Sequence, residues 1–245
     1  MHAVAEEEKE HSGSPHWEYA GELGPEQWAE LEGCSACNGE HQSPVNIIRT
    51  DTQPDSQANW PLVLRYPAET TIHSVVNNGH SIQYDFDRGD QLDFADNTYD
   101  LMQFHFHEPS EHTLNGIRYP IEMHLVHYNQ EIDEYVVLAV VGYEGTPSDA
   151  YAFLEQYLPL QPGESRDIDK PFNLRTALPD SLTPRFHYRG SLTTPPCTES
   201  VNWIVFEEPF MLSHEQVVEL QRVMPFNNYR GTQPLNDRQV SLIVH

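Results

Sequence analysis

Residues 103–107 read Gln-Phe-His-Phe-His, and residues 122–124 read Glu-Met-His. Along a β-strand successive side chains point to opposite faces, so the first segment turns His105 and His107 one way and Phe104 and Phe106 the other. Two imidazoles on one strand face are half of a metal site. A third imidazole from a neighbouring strand completes three protein ligands and leaves one tetrahedral position open, the pattern of catalytic rather than structural zinc. His124 is the candidate third ligand. Gln103 and Glu122 each lie two residues from a proposed ligand on the same face, where they can accept the second N–H of a metal-bound imidazole.

Other groupings of these residues are weaker. A helical metalloprotease needs H-E-x-x-H, whereas His107 is followed by Glu108-Pro109-Ser110-Glu111-His112, with the wrong spacing and a proline inside the supposed helix. A cupin-type jelly roll is closer, because His105, His107 and Glu111 form H-x-H-x-x-x-E. The flanking glycines of that pattern are missing, since Gly116 falls too early and position 99 is tyrosine. The cupin-like metal enzyme stands as the alternative.

At 245 residues the chain is within the range that β-rich folds reach as one unit, and one domain is expected. Lys and Arg total 13 against 38 Asp and Glu, a formal charge of −25, which argues against nucleic acid or an anionic membrane as partner. Only Lys9 and Lys170 are lysines, a surface suited to a salty medium or simply to solubility. No apolar run of about 18 residues spans a membrane. The first 15 residues are charged and rich in small side chains, so a disordered tail is expected over 1–15 with the folded domain over 16–245. That tail lacks the apolar core of a signal peptide, so the chain is either cytosolic or a mature form beginning at Met1. The three cysteines, Cys34, Cys37 and Cys197, are too few for a four-cysteine zinc site, and no βαβ pattern surrounds Cys34-x-x-Cys37. A disulfide between Cys197 and either of the first two remains open, and would point to an oxidising compartment.

Short β-type runs recur between turn signals at 62–66, 71–76, 81–86, 91–94, 101–107, 122–128, 135–143 and 201–206. Helical apolar spacing is confined to 148–158 and 213–223, the second opening with a Ser-x-x-Gln capping box. Three aromatics and Gly/Pro turns over 16–28 predict an irregular segment packed on the body. The chain reads as mainly β, with a few peripheral short helices.

Several blocks in chain order carry a resemblance: HWEYAG (16–21), QSPVNI (42–47), NNGH (77–80), QFHFH (103–107), SEHT (110–113), EMHLVHY (122–128), SLTTPPC (191–197), VNWIVF (201–206) and QPLNDRQV (233–240). Together they resemble the α-class carbonic anhydrases from about residue 16 to the C-terminus. Glu108-Pro109 after the second histidine and the short loop between Tyr128 and Tyr135 are more similar to bacterial than to animal members.

The resemblance implies a large central, mostly antiparallel twisted sheet and reversible, zinc-dependent hydration of carbon dioxide to bicarbonate and a proton by zinc-bound hydroxide. His105, His107 and His124 would hold Zn2+, with Gln103, Glu122 and the Asn228 carbonyl orienting His105, His124 and His107. Thr193 matches the threonine that accepts a hydrogen bond from the hydroxide and donates one to Glu111. Val126, Val140, Leu192, Val201 and Trp203, with Thr193 and Thr194, match the substrate-binding wall. His80 matches the proton shuttle, and Tyr19, Asn78 and Gln83 match the positions that order water beside it, although asparagine is frequent where Gln83 stands. Cys37 and Cys197 match the disulfide of secreted members, implying a periplasmic or secreted protein. Cys34 is then left over, free or bonded to a second copy in a homodimer. The same centre would support esterase activity toward activated esters. A catalytically silent binding module on this fold, as in relatives that have lost zinc ligands, is the competing non-enzyme reading, and the three histidines argue against it.

Overall fold

The computed structural model describes residues 15–54, 61–68, 70–86, 89–224 and 227–244. The tail expected over 1–15 therefore lies, except for Pro15, outside the described residues. Among the described residues the strands are β1 (Asn46–Ile47), β2 (Gln53–Pro54), β3 (Val63–Arg65), β4 (Thr71–Asn77), β5 (Ile82–Phe86), β6 (Gln91–Phe94), β7 (Asn97–His107) and β8 (Thr113–Leu114). They continue with β9 (Ile117–Arg118), β10 (Ile121–Asn129), β11 (Glu134–Glu144), β12 (Ser165–Pro171), β13 (Arg185–Gly190), β14 (Val201–Phe206), β15 (Phe210–Leu212) and β16 (Ser241–Ile243). Two α-helices, α1 (Asp149–Leu154) and α2 (His214–Val223), lie among them.

One 13-stranded sheet has the path β12-β4-β5-β7-β10-β11-β14-β13-β16-β2, with β6 and β15 paired to β7 and β11, and β3 to β6. Its pairings are antiparallel except for β11 with β14, β11 with β15 and β16 with β2. This is the mainly β architecture expected from the sequence. Beside it lies only a small three-stranded sheet, β1-β8-β9, so the two large sheets packed face to face that the jelly roll of the cupin alternative needs are not formed.

The two faces of the sheet bury separate cores. Phe104, Phe106, Met123, Leu125, Val136, Leu138, Val140, Ile204 and Phe206 belong to one, beneath α1 and α2. Val137, Ala139, Val141, Trp203 and Val205 face the other, with Val45, Ile47, Phe186 and Tyr188. The alternation expected of QFHFH is thus realised: both phenylalanines sit in the first core, and the histidines face the other side.

Helix α2 begins as its sequence dictates. Ser213 Oγ accepts from Gln216 N and the Gln216 side chain accepts from Ser213 N, closing the capping box. The helix expected over 148–158 is shorter, with α1 passing into a 3-10 turn at Glu155–Tyr157 before Pro159. Proline lacks the N–H that a further turn would need. The aromatic segment packs as expected: Trp17, Tyr19 and Trp28 join Cys34, Cys37 and Cys197 in a third cluster. Cys37 and Cys197 form a disulfide with Cα atoms 4.9 Å apart, tying this cluster to the loop 191–197. Cys34 is free and buried.

Candidate metal centre

Strands β7 and β10 pair antiparallel with His124 opposite His105 and Glu122 opposite His107. The register brings three imidazoles together because side chains opposite one another on a shared face are neighbours. The ligand-capable nitrogens of His105, His107 and His124 lie within 4.8 Å of one another. In each ring the other nitrogen is occupied. His105 Nδ1 donates to Gln103 Oε1 (2.9 Å), His107 Nδ1 to the Asn228 carbonyl (2.7 Å) and His124 Nε2 to Glu122 Oε1 (2.7 Å).

These bonds fix the tautomers, so the lone pairs of His105 Nε2, His107 Nε2 and His124 Nδ1 converge. His105 Nε2 and His107 Nε2 stand 3.0 Å apart. Two acceptor nitrogens that close, neither with a proton to share, repel; a cation between them turns the contact favourable. Three nitrogen donors with satisfied outer partners fit zinc.

The electrostatics agree. Burial pushes the His105 imidazolium well below its ordinary range, and His107 and His124 push it further. Burial likewise lowers His107, against a pull from Glu111. Burial would raise the Glu122 carboxyl, but His112 and His124 beside it hold it well below the usual carboxylate range. Neutral imidazoles around an ionised acceptor are what a metal requires.

Glu122 has a second partner that sequence reasoning passed over. His112 Nδ1 lies 2.6 Å from Glu122 Oε1 and the His112 backbone N–H donates to Oε2 (2.8 Å). On its far side His112 meets Tyr188 Oη at 2.6 Å, which in turn donates to Ser43 Oγ (3.0 Å). The signal was present in the quoted SEHT block, where His112 carried no assignment. Arg230 was also missed: its backbone N–H donates to Glu111 Oε1 (2.8 Å), and its guanidinium reaches Gln42, Ser43 and Cys37.

Glu111 is fully buried, with Oε2 3.5 Å from His107 Nε2 and 3.9 Å from His124 Nδ1. That oxygen has no hydrogen-bond partner, so the bond expected from Thr193 is not closed. Thr193 nonetheless lines the cavity above the imidazoles, about 230 Å3 in volume, with Gln103, Val126, Leu192, Thr194 and Trp203. Trp203 packs edge-on to His124, ring centroids 4.9 Å apart.

Two residues expected in the wall, Val140 and Val201, do not line the cavity. Val140 is a correction: Val137 lines the cavity, and Val140, three residues on, faces the core beneath the sheet among Phe106 and Met123. Odd spacing on a strand reverses the face. Val201 shares the cavity's face and is buried farther along β14, opposite Tyr135. Tyr135 itself lines the cavity and was not anticipated.

His80 lines a separate open hollow of about 440 Å3 with Trp17, Tyr19 and Asn78, where it stacks flat on Trp17, ring centroids 3.7 Å apart. Asn78 Oδ1 accepts from the backbone N–H groups of His80 (2.9 Å) and Ser81 (2.8 Å), building the turn that presents the imidazole. Asn78 Nδ2 donates to Gln83 Oε1 (3.4 Å), and Tyr19 stands edge-on to His80 (6.3 Å). Burial, with Glu111 nearby, raises the Tyr19 phenol well above its ordinary value. A larger open hollow of about 620 Å3, lined by Phe153, Phe172 and Phe210, lies by α1 and holds none of these residues.

A family model described as eukaryotic-type carbonic anhydrase matches residues 23–243. A carbonic anhydrase of Pectobacterium atrosepticum is 36% identical over 237 residues, covering 96% of this chain and 92% of the relative. Human carbonic anhydrase 6 is 33% identical, covering 91% and 82%. The solved α-carbonic anhydrase of Thermovibrio ammonificans, in complex with the inhibitor sulfanilamide, superposes with a TM-score of 0.88 at 37% identity, covering 94% of this chain and 100% of that one.

Proposed function

The chain belongs to the eukaryotic-type, or α-class, carbonic anhydrase family, and from that membership we propose that its three-histidine centre is a zinc site at which carbon dioxide is reversibly hydrated to bicarbonate. Enzymatic activity of this kind is common to the relatives named above. The observation that carries the zinc assignment is the convergence of His105 Nε2, His107 Nε2 and His124 Nδ1, each ring pinned from behind. When bound, zinc supplies a Lewis acid that brings a water's pKa down to about 7, behaviour for which this family is itself the standard example.

The chain's own residues supply the rest. Gln103, Asn228 and Glu122 hold the ligand rings against rotation and keep their tautomers. The apolar wall of Val126, Val137, Leu192 and Trp203 accepts an uncharged substrate without loss of hydrogen bonds and disfavours the anionic product, which assists release. Thr193, at the cavity, and Glu111, beside the imidazoles, are the pair that would direct an attacking oxygen through a hydroxyl donating to the open carboxylate oxygen. His80 takes the proton released by hydration and passes it to the medium, with Tyr19, Asn78 and Gln83 ordering the path. The Cys37–Cys197 disulfide supports residence in an oxidising space, periplasmic or extracellular.

The test is stopped-flow carbon dioxide hydration on protein whose metal has been quantified. One zinc per chain with a rate above buffer, lost on chelation and restored by zinc, is expected. Zinc-loaded protein with no rate above buffer would sink the assignment.

A further inference from the structure

The register of the strands builds the cavity in steps. At the floor His105, His124, Ala139 and Val205 stand abreast. Two residues along each strand come Gln103, Val126, Val137 and Trp203. Two further along stand Tyr128, Tyr135 and Val201. At about 3.4 Å per residue, this third step lies roughly 14 Å along the strands from the imidazoles, and there Val201 is buried while both tyrosines are partly exposed.

We propose that Tyr135 is the specificity-determining residue of the cavity, a size filter that admits small uncharged substrates and turns away longer acyl groups. The proposal rests on reading the site as one for carbon dioxide. Tyr135 lines the same cavity as His105 and His124, and its half-buried ring stands in the outermost step. It is also held still. Its backbone N–H donates to the Ser200 carbonyl (2.9 Å), and Tyr128 lies against its ring with centroids 4.6 Å apart. Tyr128 is fixed in turn, since its hydroxyl donates to Asp133 Oδ1 (2.8 Å) within the tight connection between β10 and β11. A ring restrained by its strand and by a neighbouring ring narrows the mouth without a mobile loop. The short 130–133 connection makes this possible by placing both tyrosines on facing strand ends.

The whole chain is compared with Tyr135→Ala, Tyr135→Leu, Tyr135→Phe and Tyr128→Ala. Two probe pairs are used: 4-nitrophenyl acetate and butanoate for turnover, and phenol and 4-butylphenol for binding by calorimetry. Tyr135→Ala is expected to raise both the butanoate-to-acetate ratio of kcat/KM and the butylphenol-to-phenol affinity ratio by about tenfold or more, the scale of one admitted methylene. Tyr135→Leu should move them in the same direction and serves if the alanine variant fails to fold. Tyr128→Ala should give a smaller rise, and Tyr135→Phe, which keeps the ring, should leave both ratios near those of the parent. Ratios unmoved in the alanine and leucine variants, or moved equally by phenylalanine, overturn the filter. A zinc-loaded parent without carbon dioxide hydration defeats the proposed function alone, because the phenol pair needs no turnover and still decides the filter.

Discussion

Each imidazole of the three-histidine cluster leans on a different acceptor: a side-chain amide, a backbone carbonyl and a carboxylate. Only the carboxylate is ionised and is itself bound by a further buried histidine, so it should matter most. Glu122→Gln is expected to weaken zinc binding roughly 10–100-fold, read by competition with a chelator, with the far-ultraviolet spectrum unchanged. His80 offers a pH test of the proposed shuttle. Burial, then His16, pushes its pKa below 6.5, against a pull from Glu18. His80 must be neutral to accept a proton, and it is neutral above its pKa, so shuttle-limited hydration should stay high until the pH falls below 6.5. His80→Ala should lower kcat in weak buffer by tenfold or more and be rescued by added imidazole; a parental midpoint above 6.5, or no loss in the variant, would move the role elsewhere. Asp90 gives the opposite kind of group, structural and acidic. It is buried, Thr70 Oγ1 donates to its Oδ1 (2.8 Å), and Oδ2 has no partner. Burial raises its pKa to about 6, above the unfolded value, so its stabilisation is complete below about pH 4 and is lost as pH rises through 6. Asp90→Asn should remove about 2 kcal/mol of that pH dependence in denaturation measured at pH 4 and pH 8.

Strand β7 performs two tasks on its two faces, and they can be separated. Phe104 and Phe106 are buried under the sheet, beside Tyr84 and Tyr151, while His105 and His107 stand above it. Phe104→Ala should cost about 3–5 kcal/mol in chemical denaturation, with zinc stoichiometry intact under native conditions. This strand was legible in the sequence because its faces differ chemically. Strand β11 was legible only as a strand. Its run Val136–Val141 is apolar at every position and buried on both faces, so no alternation marks which valines see the cavity. Only the pairing of Val137 with Val126 and Trp203 decides it, which is why Val140 was placed on the wrong side. Strands β12 and β13 escaped notice for the converse reason. In β12 only Ile168 is buried, its charged residues lying along a sheet edge where such side chains discourage further pairing. In β13 the buried Arg185 and His187 interrupt the apolar pattern. His112 and Tyr188 are distant in sequence and meet only through the fold, so their part in holding Glu122 could not be read from spacing.

Across the whole molecule the charge imbalance is large, and the cations do little to relieve it. Arg49, Arg65, Arg189 and Arg222 pair with Glu207, Asp93, Glu134 and Glu219. Arg118, Arg166, Arg175, Arg230 and Arg238 instead donate to backbone carbonyls, bracing loops rather than neutralising carboxylates. With 38 acidic residues against 13 basic, most carboxylates have no lysine or arginine to pair with one to one. Salt acts on both kinds of interaction. It weakens surface pairs, each contributing about 0–1 kcal/mol, and it screens the repulsion that a charge of −25 spreads over the surface. The second effect should win, because the screening length falls from about 10 Å at 0.1 M to about 3 Å at 1 M, shorter than most distances between surface carboxylates. Raising sodium chloride over that range at pH 7 should therefore stabilise the chain by about 1–2 kcal/mol, lifting the thermal midpoint by roughly 2–8 °C for a chain of this size. The same titration near the sequence pI of 4.7 separates the cause. There the net charge is close to zero, so repulsion has gone and the salt response should vanish or change sign. An equal rise at both pH values would instead assign the effect to stronger apolar burial in salt.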